Sequence, residues 1–136
     1  MKVSSSVLSV NGNAGVAYRK ISNFSELGGM MPPGQVQDWK ATQDTCSFNV
    51  GGMAQISMRI TQKVEPSLVV ITSDGPSPFP FTLAFHFEPA ANGQFSSMVE
   101  AEVGVNMVMG AMLKGHMQKF VDTLNQQIKN YAEALN

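Results

Sequence analysis

The chain has 136 residues, 43% of them hydrophobic and 14% charged, with a formal net charge of −1. That length suits a single domain, residues 1–136, with a core that needs no staples. The charge balance offers neither the basic surface that nucleic acid requires nor an acidic tail, and a lone cysteine, Cys46, excludes an internal disulfide framework and a cysteine-rich zinc site.

The opening "MKVSSSVLSV" lacks the apolar core of roughly 7–15 residues that marks a signal peptide, and no apolar run approaches the ~20 residues that span a bilayer. A cytoplasmic protein without membrane insertion is expected. From Val3 to Val10 the residues alternate loosely, Val3 and Val7 in one phase and Leu8 and Val10 in the other, which predicts a first strand. Asn11 or Asn13 then caps a short helix from about Ala14 to Ile21, and Ser22 or Asn23 caps one more turn through Leu27, ended by Gly28-Gly29. Pro32-Pro33 forbids further helix.

From Gln35 to about Glu102 the apolar period becomes two. Val36 to Ala41 forms a strand around Trp39. Cys46, Phe48 and Val50 share a phase in the next, and Gly51-Gly52 makes a tight turn. Ile56, Met58 and Ile60 then alternate with Ser57, Arg59 and Thr61. "VEPS" and "SDGPSP" are turns, and Phe79, Phe81, Leu83, Phe85 and Phe87 fall on one face. Asn92-Gly93 is a hairpin signal, followed by Phe95, Val99, Ala101, Val103 and Val105 in one phase, opposite Met98, Glu100 and Glu102. Short turns between strands imply an antiparallel meander.

The last segment reverts to a helical period. Leu113, Met117, Phe120, Leu124, Ile128, Tyr131 and Leu135 form one apolar stripe, with Lys114, Gln118, Asp122, Asn125 and Lys129 on the other side and Asn106 as N-cap. The fold class is therefore α+β: two short helices after the first strand, an antiparallel sheet of about seven strands, and a long C-terminal helix that the sheet wraps.

This order resembles the helix-grip fold of the START/Bet v 1-like (SRPBCC) superfamily. More narrowly, it is similar to small bacterial polyketide cyclase-like proteins and to relatives of a small carbon monoxide dehydrogenase component. The resemblance is carried by "NAGVAYRKISNFSELGGMMPPGQVQDW", a short helix pair leading to a Trp-bearing strand, and by the closing "MVMGAMLKGHMQKFVDTLNQQI". It implies a cavity between the long helix and the sheet, of the kind used for lipids, polyketides or other apolar molecules. The superfamily also contains cyclases, hydroxylase domains and proteins without known activity, so the fold narrows function only weakly.

The residues capable of chemistry are few. His86 lies between Phe85 and Phe87 and points to the outer sheet surface beside Thr82 and Glu88, and His116 sits at the edge of the helix stripe. Glu100 and Glu102 share the solvated phase of their strand. Asp38 has an inward option beside Trp39, and Cys46 reads as a small buried hydrophobe. "GNAG" lacks both the lysine of a phosphate-binding loop and the spacing of a dinucleotide fingerprint. No catalytic constellation, metal site or cofactor is expected.

The expected function is a binding or carrier module for a small hydrophobic ligand, lipid-like or polyketide/aromatic. Its lining residues are expected to be Met58, Phe81, Phe85, Val103, Met109, Gly110, Leu113, Met117 and Phe120. Gly110, a glycine on the inward face, leaves either close backbone approach or empty volume. Two alternatives stand beside this reading. One is a cyclase- or dehydratase-type enzyme using Asp38, Arg59 or His116. The other is a packed interaction protein acting through its Met-rich helix end, as in a homodimer. The wide apolar arc of Met107, Met109 and Met112 fits cover from Met30 and Met31 or from a second copy of the chain.

Overall fold

A computed structural model describes residues 1–28, 36–50, 54–75 and 79–135. Strands β1 (Lys2–Ser4) and β2 (Leu8–Asn11) precede helices α1 (Ala14–Ile21) and α2 (Phe24–Leu27). Strands β3 (Val36–Ala41), β4 (Thr45–Val50), β5 (Ala54–Val64), β6 (Leu68–Ser73), β7 (Phe81–Pro89) and β8 (Gln94–Val103) follow, and α3 (Met107–Ala134) comes last. Pro32-Pro33, Gly51-Gly52, Met30 and Met31 lie outside the described residues.

The caps explain the short helices. Asn13 Oδ1 accepts from the Gly15 amide at 2.7 Å and Asn23 Oδ1 from the Ser25 amide at 3.0 Å, each satisfying a donor that the first helical turn leaves free. All strand pairs are antiparallel, in the order β1-β8-β7-β6-β5-β4-β3, with β2 also on β8. At the β7–β8 hairpin, Asn92 and Gly93 both take positive φ, 64° and 69°, as that dipeptide favours. Leu83, Phe85 and Phe87 of β7 and Phe95, Val99, Ala101 and Val103 of β8 are buried, so the period of two marks one core face.

The first strand departs from expectation, being two strands on one sheet edge. Ser4 faces Glu100 and Leu8 faces Ser97, so four steps on one side are matched by three on the other. One extra residue is a β-bulge, and it reverses which side chains point inward. Val3 and Val10 are both buried although seven positions apart, whereas Val7 is exposed. The loose alternation in the sequence is the trace of this bulge. Ser5 fills the gap: its amide donates to the Val99 carbonyl at 2.8 Å, and its Oγ accepts from the Val99 amide at 2.9 Å.

Helix α3 has 28 residues, about 42 Å at roughly 1.5 Å per residue, and begins where Asn106 Oδ1 accepts from the Met109 amide at 2.8 Å. Its seating corrects the simple amphipathic reading. The buried residues are Gly110, Val121, Leu124, Asn125, Ile128 and Ala132, while Leu113, Met117, Phe120 and Tyr131 are half-buried and Leu135 is exposed. At 100° per residue, the buried centre is rotated about 50° from the apolar stripe.

The polar stripe causes that rotation. Among the described residues, no strand neighbours the outer edge of β1 and β2, and α3 meets its backbone groups with side chains. Gln118 donates to the Ser4 carbonyl at 2.8 Å, Asp122 accepts from the Ser6 amide at 3.3 Å, Lys129 donates to the Ser9 carbonyl at 2.7 Å, and Glu133 accepts from the Asn11 amide at 3.1 Å.

Asn125, expected on the solvent side, is 1% exposed. Its amide donates to the Ser6 and Ser97 carbonyls, both at 2.9 Å, and accepts from the Ser97 hydroxyl at 2.6 Å. One side chain thus ties the bulge, β8 and α3 together. Replacing Asn125 with Leu should lower unfolding free energy by about 2–4 kcal/mol, because buried partners are left unpaired. The check is the urea midpoint at unchanged slope.

Candidate functional site: an apolar cavity beside the long helix

Because α3 is seated against β1, β2 and β8, its other flank stands off the far strands. The space between is a cavity of about 460 Å³. Of the sixteen described residues lining it, thirteen are apolar. Phe48, Ile56, Met58, Ile71, Leu83 and Phe85 form the sheet wall, Leu27 of α2 and Val36 of β3 contribute on another side, and Met117, Phe120 and Leu124 face them from α3. Phe79 and Phe81 complete the apolar part. The polar lining residues are His116, Lys119 and Thr123, all from α3.

Of the nine residues expected to line a site, Met58, Phe81, Phe85, Met117 and Phe120 border this cavity. Val103, Met109, Gly110 and Leu113 do not. Val103 is buried, and Met1 bonds its main chain from the sheet edge, the Met1 carbonyl accepting from the Val103 amide at 2.7 Å. Met109 is 46% exposed, as the first turns of α3 face outward. Gly110 leaves no void: a Cβ there would meet Val105 Cγ2 at 3.6 Å and Met1 Cβ at 3.8 Å, ordinary contact distances. Ile56, Ile71 and Leu83 line the cavity without having been expected there, although their strand phases are those of the inward residues. Leu27 and Phe48 are further additions, and they reach the cavity through a local lock.

That lock is built on Trp39. Its ring stacks on Phe48 at 5.3 Å between centroids and meets Phe24 edge-on at 6.4 Å, while its Nε1 donates to the Phe24 carbonyl at 3.3 Å. Gly28 permits the approach, since a Cβ there would lie 2.8 Å from Trp39 Nε1. The lock fixes α2, and so Leu27, against the sheet.

The ionisable candidates disperse. Asp38 is exposed, sits at φ 56° in an irregularity of β3 and accepts from Asn49 at 3.1 Å, so the inward option is not taken. Arg59 is exposed and paired with Asp74 at 3.2 Å. His86 lies on the outer sheet surface and meets Glu100 at 3.1 Å, where Lys2 adds a second contact at 3.4 Å. Partial burial pulls the Glu100 carboxyl upward, but its hydrogen bonds with His86 and Lys2 outweigh this and hold it below the ordinary value of 4.5. Burial pushes the Cys46 thiol up to about 12. Only His116 of the three acid–base candidates borders the cavity. Among the described residues no cluster of three or more His, Cys, Asp or Glu is placed to hold a metal, and no helix is long and apolar enough to cross a membrane.

The chain matches neither a protein-family model nor a curated protein sequence. Solved structures do match it. A START superfamily protein from Mycobacterium smegmatis superposes with a TM-score of 0.74 at 15% identity, covering 99% of each chain. A protein from Thermobifida fusca does so with 0.73 at 12% identity, over 99% of this chain and 95% of its own. Norcoclaurine synthase from Thalictrum flavum gives 0.76 at 9% identity, over 96% and 85%. The chain has the START/Bet v 1-like helix-grip fold.

Two outcomes follow. A depressed carboxylate stabilises the folded state above its unfolded value and loses that contribution as pH falls through the folded one. Glu100→Gln should therefore show a shallower loss of stability than wild type between about pH 5 and about pH 3, read by urea unfolding. Cys46 should stay unreactive toward an aromatic disulfide reagent at about pH 8 until urea exposes it.

Proposed function

We propose that the chain is a binding or carrier protein for a small hydrophobic ligand, lipid-like or polyketide/aromatic, held between the sheet and α3. The observation that carries this reading is the cavity. Its volume of about 460 Å³ falls in the range of roughly 300–1,000 Å³ typical of small-molecule sites. Its walls are apolar, with a few polar groups on one side, which is the composition such sites need. Residues 1–136 act as one START/Bet v 1-like unit in this reading, working in the cytoplasm with Cys46 as a buried thiol.

A cyclase- or dehydratase-type enzyme is the second reading. Its support is His116 on the lining, a proton carrier beside the space a substrate would fill. It is the weaker of the two, because Asp38 and Arg59 are turned away from the cavity and engaged elsewhere. A homodimer through the start of α3 draws support from the exposure of Met107, Val108 and Met112.

Native mass spectrometry of protein purified from its own host, with thermal shift against fatty acids and aromatic polyketides, tests the carrier reading. Thr123→Trp should fill the cavity from the helix side and reduce affinity at least about tenfold, with the fold retained. Trp39, stacked on the cavity residue Phe48, supplies a fluorescence signal for titrating the wild type. Ligand-free protein from the host together with no thermal shift would sink the carrier reading.

A further inference from the structure

We infer that the ligand carries an anionic head group on its apolar body, and that Lys119 and His116 hold this head at one edge of the cavity. The inference rests on the carrier reading and adds a ligand class to it. Its basis is the placement of the polar lining residues. His116, Lys119 and Thr123 all come from α3. At 100° per residue they project within an arc of about 60° on one face of the helix. The facing wall, with Phe48, Met58, Ile71 and Phe85, is apolar, and no carboxylate is among the described lining residues. The cavity is therefore polarised, cationic along one edge and apolar elsewhere, inside a chain whose net charge is −1.

The two cationic-edge side chains are also uncommitted. Most of the chain's basic groups have partners: Lys2 pairs with Glu100, Arg59 with Asp74, Lys63 with Asp44 and Lys129 with Glu133, and Lys20 lies 4.9 Å above the centre of the Tyr131 ring. Lys119 and His116 make no side-chain ion pair or hydrogen bond among the described residues. Asp122 is close in sequence, but its carboxylate is engaged with the Ser6 amide and with Gln118. A structural ion pair thus does not account for Lys119.

An ammonium group at the exposed rim of an apolar cavity suits a carboxylate or phosphate head, because a charge-assisted hydrogen bond is stronger than a neutral one. The lysine stem can lie along the apolar lining while its charge reaches the opening. His116 adds a ring N–H in either protonation state, and Thr123 adds a hydroxyl. The same polarity orients the ligand, with its chain toward the sheet wall and its head toward α3.

The test compares four amphiphiles of equal chain length on the intact protein: dodecanoate, dodecyl phosphate, dodecanol and dodecylamine. Each displaces a neutral apolar dye, Nile red, below its micellar concentration. Wild type should bind at least one of the two anions about three- to tenfold more tightly than the alcohol, with the amine weakest. Which anion leads separates a carboxylate head from a phosphate. Lys119→Met should bring anion and alcohol within about twofold of each other, and Lys119→Glu should place the amine first. Lys119 is exposed, so both variants should fold, with helicity confirmed by circular dichroism. If wild type binds alcohol and anions alike, or Lys119→Glu leaves the order unchanged, the anionic head is overturned while the carrier reading stands. If neither the dye nor any amphiphile binds, both fall together.

Discussion

A sheet edge has to end somewhere, and this chain ends one of its edges against a helix. The outer rim of β1 and β2 presents carbonyls and amides that no strand among the described residues pairs. Gln118, Asp122, Asn125, Lys129 and Glu133 satisfy five of them in succession along α3. Unpaired edge groups invite pairing with other chains, and this row of bonds, added to apolar contact, fixes the helix azimuth. Apolar packing then falls on Val121, Leu124, Ile128 and Ala132, between the polar and apolar stripes. Met117 and Phe120 are left half-buried on the far flank, where they line the cavity.

Asn125 concentrates this constraint. It sits where the bulge interrupts the edge strand, and it answers the bulge with donors to both sides. Ser97 occupies an inward position on β8 that the alternation would give to an apolar residue, and the Asn125 amide is its reason for being polar. Among the described residues no buried side-chain nitrogen or oxygen lacks a partner, so the core holds this polar knot at little penalty.

Much of the architecture is legible in the residues. Helix α1 runs from Ala14 to Ile21 and β3 from Val36 to Ala41, as capping and alternation predict, and the spacing from Leu113 to Leu135 predicts the long helix. Local rules suffice there, because caps, hairpin dipeptides and periods are local. The bulge shows in the sequence only as imperfect alternation, since a one-residue slip needs its partner strand to be recognised. The polar stripe reads as a solvated face, because a glutamine facing water and one facing a sheet edge have the same spacing. The position of the cavity along α3 follows from that seating, which is why Gly110 and Leu113 look like lining residues although the space opens nearer Phe120 and Thr123.

Fastening and lining occupy different arcs of one helix, their centres roughly 160° apart at 100° per residue. A change at Lys119, Phe120 or Thr123 does not touch the bonds that hold α3 to the edge strand, and a change at Gln118 or Lys129 does not touch the cavity wall. The two sets can therefore drift separately through descent. The lining can change without loss of the bonds that seat the helix, and solved chains with this fold share as little as 9–15% of their residues with this one.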